Sequence, residues 1–382
     1  MVADLTLSKP GAAGLNALVE ADRLVVKIGS SLLVRGGTLR TGWMESIAAE
    51  LARLAENGTK GIVVSSGAIA LGAAKLGLAK GGRASLADAQ AAAAVGQVQL
   101  AAAWSDALAG VGLTGAQILV TLGDLEDRRR YLNAATTLSR LLDHGVVPVL
   151  NENDSVATEE IRFGDNDRLA ARVAQAAGAD AVLLLSDVAG LYDGDPDDPA
   201  SSLIPVVDGV TDALLASVDD RSSSGMGSGG MVSKLEAARI ATGSGIALGI
   251  IDGRPDAPIE TALRTGTGTL FLAQQGRGAR KGWLGGRLTA QGDVWVDSGC
   301  IAALRDGASL LAAGIVRIEG EFARGDLLHV RDAGGAAVGK GLAEYASADL
   351  RKIAGRRQEE QADLLGHAPR AAVIHRNHMV LS

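Results

Sequence analysis

Six short apolar runs, at 24–28, 61–64, 117–121, 146–150, 181–185 and 246–251, are separated by longer stretches of helical character. Most of them are continuously apolar rather than alternating, as strands buried on both faces are. Strands separated by helix-length segments join in parallel through crossovers, so the pattern predicts an open, mostly parallel α/β sheet with helices on both faces. In such a sheet ligands bind beyond the carboxyl ends of the strands. The residues that directly follow each run are therefore the first place to look for chemistry.

The chain has 382 residues, enough for two or three domains. The pattern changes at 274–287 (QQGRGARKGWLGGR), where glycine and clustered Arg and Lys replace apolar runs. Beyond it, short runs at 294–296, 315–318 and 327–330 with closely spaced turns predict a small β-rich module with little helix. The expected division is an α/β domain over 1–275, a linker over 276–290, the β-rich module over 291–372 and a tail over 373–382. The sequence has no internal repeat.

Composition removes several classes. Hydrophobic residues make up 47% and charged residues 21%, which excludes a disordered, collagen-like or coiled-coil chain. Lys+Arg 37 against Asp+Glu 44 gives a net charge of -7, which offers polyanions no general attraction. With Trp 4, Tyr 3 and Phe 3 there is little for stacking successive bases. The single Cys300 excludes an internal disulfide and a multi-Cys zinc site, and fits a reducing compartment. Residues 1–20 lack the basic and apolar regions of a secretory signal, and 87–113 is interrupted by Asp88, Gln90, Gln97, Gln99 and Asp106, so no membrane span is expected. The expected location is the cytoplasm.

The strand ends are rich in polar residues. LVVKIGSS places Lys27 beside a Gly29-Ser30-Ser31 turn whose N–H groups suit phosphate oxygens, although a solvated lysine beside an ordinary turn reads equally well. VVSSGAIALG leads Ser65, Ser66 and Gly67 into a helix, either an anion site or a plain N-cap. VPVLNENDSVA and FGDND carry Glu152, Asp154, Asp165 and Asp167 among Asn151, Asn153 and Asn166, a set that binds an ammonium, holds lysines or carries magnesium, and that is also common loop material. LLLSDVAGLY puts Ser186 and Asp187 where doubly wound folds often meet a nucleotide.

The most glycine-dense stretch, SSSGMGSGGMVSKLEAARIA, reads as a loop entering a helix with Lys234 in its first turn. It is not a Walker A loop, because Leu235 follows the lysine where Ser or Thr is required. Gly225, Gly227 and Gly230 match the dinucleotide fingerprint, with Asp252 at a later strand end, but no strand precedes the first glycine. The five histidines show no metal-ligand spacing, and His375 and His378 read as an exposed tail. Arg128, Arg129 and Arg130 read as a solvated helix face or the border of an anionic pocket.

Taken in order, LVVKIGSS, VVSSGAIALG, LEDRRRYLNA, VPVLNENDSVA, FGDND, LLLSDVAGLY and GSGGMVSK resemble the glutamate 5-kinases (γ-glutamyl kinases). The resemblance implies an amino acid kinase domain to about residue 275, followed by a PUA-like domain. It implies transfer of the ATP γ-phosphoryl group to the side-chain carboxylate of L-glutamate, the first step of proline biosynthesis, with Mg2+ accompanying ATP. Matched to the family motifs, Lys27, Lys234 and Asp167 would be catalytic, Asp167 orienting the two lysines. Ser66, Asp154 and Asn166 would bind glutamate. Lys27, Ser186, Asp187, Ser228, Gly229, Gly230, Met231, Val232, Ser233 and Lys234 would hold ATP. The metal ligands are unknown. Ser186 and Ser233 stand where Thr is frequent in the family, and KIGSS replaces the commoner KLGTS, changes that keep the hydroxyl. Family members commonly form homo-oligomers and are inhibited by proline.

Two other readings remain open at this stage. One is another carboxylate or carbamate kinase of the same fold; the other is an RNA-binding protein using the PUA-like module. Residues 291–382 hold 11 Lys+Arg and 12 Asp+Glu, with a basic cluster only at Arg351, Lys352, Arg356 and Arg357. A phosphate backbone prefers more, so tight nucleic-acid binding is not expected.

Overall fold

The computed structural model describes residues 13–156, 165–222, 229–274 and 290–381. Contacts divide the chain into two units, Met1–Glu126 with Ala134–Gln275, and Asp127–Asn133 with Gly276–Ser382.

In the first unit the described elements run α1 (Ala13–Val19), β1 (Arg23–Ile28), α2 (Ser30–Leu33), the hairpin β2 (Val34–Arg35) and β3 (Thr38–Leu39), α3 (Thr41–Glu56), β4 (Lys60–Ser65), α4 (Ala68–Leu76) and α5 (Leu86–Ala109). They continue through β5 (Thr114–Val120), α6 (Leu122–Glu126), α7 (Arg128–Asp143), β6 (Val146–Glu152), α8 (Asp165–Ala177), β7 (Ala181–Ser186) and β8 (Val206–Val207). After these come α9 (Asp212–Ser222), α10 (Gly229–Thr242), β9 (Ala247–Asp252), α11 (Pro258–Thr265) and β10 (Thr269–Phe271). The opening turns of α7 group with the second unit.

The main sheet has the order β5-β6-β4-β1-β7-β9-β10-β8. The first six strands pair in parallel, as do β10 and β8; β10 runs antiparallel to β9. All six apolar runs became strands, and the sheet is the mostly parallel α/β architecture expected. The sequence did not reveal β8 and β10, because two or three residues carry too little periodicity to stand out.

Strand parity decides what meets what. Leu24, Val26 and Ile28 of β1 join a core cluster with Trp43, Met44, Ile47 and Leu51 of α3 and Trp104 and Leu108 of α5. Val25 and Lys27 alternate with them and point to the opposite face, and α8 packs against β1 with α10 alongside α8. A lysine one residue from the strand end is thereby aimed at the first turn of α8.

In the second unit β11 (Gly292–Val296), β12 (Ile315–Glu319), β13 (Leu327–Arg331), β14 (Ala337–Leu342) and β15 (Met379–Leu381) form a sheet of order β12-β11-β13-β14-β15. β11 and β13 are parallel, the other pairs antiparallel. Two expectations are corrected here. The module holds more helix than expected, at Ser298–Arg305, Ser347–Ile353 and Gln358–Leu365. Asp297 caps the first of these by accepting from the Cys300 N–H at 2.7 Å, so Ser298 and Gly299 are the start of a helix.

The second correction concerns the expected tail, whose described residues, 373–381, are built into the module. Val373 and Ile374 are buried, Leu310 N–H donates to the Ile374 carbonyl at 2.9 Å, and β15 adds the last strand to the sheet. His378 is buried, with its ring edge-on to Tyr131 at 5.5 Å. The close pairing depends on Gly339 and Gly341, where a Cβ would meet the Val380 carbonyl and the Ile374 side chain at 2.4 Å. Arg129 and Arg130 are exposed, as a solvated face requires, Arg129 also donating to the Arg324 carbonyl at 3.1 Å, while Arg128 is half-buried and paired with Asp326 at 3.6 Å. Among the described residues no helix is long and apolar enough to cross a membrane.

Candidate active site

Parallel pairing brings the strand ends level along one edge. Ile28 is in register with Ser65 and Leu185, and Ser186 with Asp252. Lys27, Ser66, Asn151 and Ser186 thus occupy neighbouring strand ends.

At the centre two lysines share one carboxylate. Asp167, in the first turn of α8 and 1% exposed, is ion-paired through Oδ1 with Lys27 Nζ at 2.5 Å and accepts Lys234 Nζ at 3.2 Å on Oδ2. Lys234 also donates to the Gly230 carbonyl one turn back at 3.3 Å. Burial lowers the Lys27 pKa from the usual lysine value, Asp167 opposes that shift, and the Lys234 ammonium adds to it. Three charges with a net of +1 in a buried place cost desolvation free energy that their mutual attraction barely offsets. Replacing them by apolar residues would serve stability better, so their presence points to an anionic ligand.

Beside them lies a chain of uncharged polar groups. Asn166 Nδ2 donates to Ser66 Oγ at 2.6 Å and to Asn151 Oδ1 at 3.1 Å. Asn151 is 2% exposed; its Oδ1 also accepts the Glu152 N–H at 2.9 Å, and its Nδ2 donates to Gln97 Oε1 at 2.8 Å. Ser66 is placed by its own N–H, which donates to the Ile28 carbonyl at 3.1 Å, and Gly67 takes φ +111° to turn the chain into α4. Asp154, half-buried, follows the end of β6 by two residues. Ser186 is buried and its hydroxyl donates to Asp187 at 3.2 Å; the Asp187 charge also acts on Lys27.

Of the residues singled out in the sequence, the structure joins Lys27, Lys234 and Asp167 directly, and Ser66 to Asn166 directly. Gly229, Gly230, Met231, Val232, Ser233 and Lys234 are not a loop: α10 begins at Gly229, which moves Lys234 into its second turn. Glycine's low helix propensity hid that start. Ser228, Gly225 and Gly227 lie outside the described residues. α9 precedes the glycines, and Asp252 is paired with Arg254 at 2.7 Å. Among the described residues no group of three His, Cys, Asp or Glu is placed to hold a metal ion.

Sequence reading passed over Gln97, one of three glutamines in an Ala-rich helix with no motif around it, and gave Asn151 no separate role. Ser65, read with Ser66 and Gly67 as an anion site or an N-cap, accepts the indole N–H of the fully buried Trp104 at 2.9 Å and anchors α5 to the end of β4.

Residues 22–252 match the model of the amino acid kinase family, and residues 292–364 match that of the PUA domain. The chain is 59% identical to the glutamate 5-kinase of Novosphingobium aromaticivorans over 360 residues, covering 94% of this chain and 96% of that one. It is 58% identical to the glutamate 5-kinase of Sphingopyxis alaskensis, covering 94% and 97%. With that of Zymomonas mobilis the identity is 54%, covering 94% and 91%.

Proposed function

The chain belongs to the glutamate 5-kinases of the amino acid kinase family, and from that membership we propose that it moves the γ-phosphoryl group of ATP onto the γ-carboxylate of L-glutamate, giving γ-glutamyl phosphate and ADP, the first step of proline biosynthesis. The observation that carries the reading is the buried Lys27–Asp167–Lys234 set at the carboxyl edge of the sheet.

The chemistry needs little proton transfer. A glutamate side chain, with an ordinary pKa of about 4.3, is already ionised at neutral pH, so one carboxylate oxygen attacks phosphorus while the bond to the ADP oxygen breaks. The obstacle is the approach of an anion to a polyanion. Lys27 and Lys234 lower it by meeting the charge on the transferring oxygens, and Asp167 holds both ammonium groups in place beforehand, so no reorganisation is required as charge develops. An ammonium has three donors. Lys234 spends one donor on Asp167 and one on the Gly230 carbonyl and keeps a third for phosphate, and Lys27, ion-paired with Asp167, keeps others.

Ser66, Asn166 and Asp154 bind the amino acid in this reading, and Ser186, Asp187 and 228–234 bind the nucleotide. Mg2+ bound with ATP would supply further neutralisation of phosphate charge. The net +1 cradle of two lysines around one carboxylate suits such a partly neutralised polyanion.

The same reading includes inhibition by the pathway product proline, a homo-oligomer, a cytoplasmic location, and the division 1–275, 276–290 and 291 onward. The PUA-like domain acts as a structural or regulatory module without tight RNA affinity. Three of the four cations of its basic cluster are already partnered: Arg351 with Glu321 at 2.6 Å, Lys352 with Asp349 at 2.9 Å, Arg356 with Glu360 at 3.8 Å. A submicromolar, salt-sensitive RNA complex would overturn that part.

The test is ADP release from Mg-ATP with L-glutamate, N-acetylglutamate, L-aspartate or carbamate as acceptor, with hydroxylamine trapping the acyl phosphate. Glutamate-only turnover is expected. Turnover with another acceptor alone would keep the lysines and reassign the acceptor groups.

A further inference from the structure

The polar chain at the site has a direction set at one end by the backbone. The Glu152 N–H can only donate, so it fixes Asn151 with Oδ1 towards it. Asn151 Oδ1 then also accepts from Asn166 Nδ2, and Asn151 Nδ2 must donate, which it does to Gln97 Oε1. Asn166 has spent its NH2 group on Ser66 and Asn151, and its Oδ1 is buried with no hydrogen-bond partner among the described residues. Ser66 Oγ, accepting from Asn166, keeps its own proton to donate. The chain therefore ends in one acceptor and one donor side by side.

Gln97 reaches this chain because of how α5 packs. Gly96, the residue before it, lies so close to α4 that a Cβ there would be 1.8 Å from the Ala68 carbonyl, and a Cβ at Gly72 would be 1.8 Å from the Ala92 carbonyl. Two backbones in contact fix α5 against the helix that starts just after Ser66. Gln97 is held at a set distance from the end of β6, far more tightly than its half-buried place in an Ala-rich helix suggests.

We propose that Gln97 is a positioning residue for the amino-acid end of the acceptor. Resting on the kinase reading above, it secures the amide of Asn151 and through it that of Asn166, so that Asn166 Oδ1 receives the substrate ammonium while the Ser66 hydroxyl meets the α-carboxylate. Without the acceptor at 97, Asn151 Nδ2 becomes a buried donor with nothing to donate to, and rotation that relieves it breaks the link to Asn166. An Asn166 turned the other way would present NH2 to an ammonium, donor against donor. The nucleotide half of the site, built on Lys27, Lys234 and Asp167, does not pass through Gln97.

The experiment is steady-state kinetics of the full chain with Gln97→Leu and Gln97→Glu, varying glutamate and ATP separately. Leu has no acceptor; Glu keeps one and cannot donate. The leucine variant is expected to raise KM for glutamate by about tenfold or more with KM for ATP nearly unchanged, and the glutamate variant to stay near the unaltered protein. A merely packing role would move both substrates together, or would spare neither variant. Should Gln97→Leu not be recovered folded, Gln97→Ala, at ease in a helix, gives the same contrast. An unchanged KM for glutamate, an equal loss for ATP, or a Gln97→Glu variant as impaired as Gln97→Leu would overturn the proposal. No glutamate turnover by the unaltered protein would sink the kinase reading with it, whereas full turnover indifferent to position 97 would sink this inference alone.

Discussion

Each unit buries one acid among cations, and the two are built differently. In the kinase unit Asp167 lies between Lys27 and Lys234. In the C-terminal unit Glu344, 7% exposed, accepts Arg324 at 3.0 Å, with Arg370 at 4.0 Å and His378 at 3.9 Å. Burial raises the Glu344 pKa and the neighbouring guanidinium groups oppose that shift. Arg324 spends its planar fork on fixed partners, Glu344 and the Asn133 side chain. The lysines are compact charges with donors left over. The arginine cluster lies outside the strand-end edge, the Arg324 guanidinium set against Glu344 and Asn133, and reads as structure; the lysine cluster lies at the carboxyl edge of the parallel sheet, where such sheets bind ligands, and reads as a site. Buried charge alone does not mark function; its place at the carboxyl edge of a parallel sheet does.

The largest break in that comparison should come from the lysines. Lys27→Ala or Lys234→Ala is expected to cut kcat by about 10²–10³ or more, since each removes a donor to transition-state charge. Near-normal turnover in either would remove that lysine from the mechanism. Asp167→Asn sharpens the same point: it leaves two buried ammonium groups facing each other, and both turnover and thermal stability should fall, because a broken buried ion set costs about 3–5 kcal/mol. Arg324→Met should behave in the opposite sense to the lysine variants, lowering the stability of the C-terminal unit by about 3 kcal/mol in urea unfolding while glutamate turnover per folded molecule is retained. Loss of turnover without loss of stability would mean that the arginine cluster is not merely structural.

How much of this was legible beforehand follows from the range of each interaction. The parallel sheet could be read because continuous apolar runs report burial on both faces directly, and the strand-end motifs followed from where such sheets bind ligands. Lys27 and Asp167 were named from motifs, yet their 2.5 Å meeting depends on strand parity and on α8 packing against β1, which no local pattern encodes. Gln97 was invisible for the same reason: its role comes from the Gly72 and Gly96 contact between α4 and α5, and glycines inside an Ala-rich stretch look like weak helix formers rather than a packing device. The misreading of 373–381 had another cause. Pairs and triplets of apolar residues among His, Arg and Asn look like a tail until the glycines of β14 supply a surface to pair with.

The smallest expected effect involves a third buried acid, which has no buried cation at all. Glu50 on α3, 3% exposed, accepts the backbone N–H groups of Glu260 at 2.7 Å and Ile259 at 3.4 Å, the unmet donors of the first turn of α11. Arg53 faces it from its own helix but is exposed and paired with Glu260 at 3.0 Å, while the Glu260 carboxylate repels. Burial outweighs these contacts and pushes Glu50 from 4.5 up to about 7. Between those two values the unfolded chain releases the proton that the folded chain keeps. The stabilisation is therefore complete below about pH 4.5, declines as the pH rises, and is gone above about pH 7. Each pKa unit corresponds to about 1.36 kcal/mol, and allowing for relaxation around α11 the decline should amount to roughly 2 kcal/mol. Glu50→Gln keeps an oxygen for the helix N–H and cannot titrate, so urea midpoints from pH 5 to pH 8 should fall less steeply for the variant than for the unaltered protein. Parallel curves would mean that Glu50 is ionised in the folded state, and that two backbone N–H groups suffice where Asp167 needs two lysines.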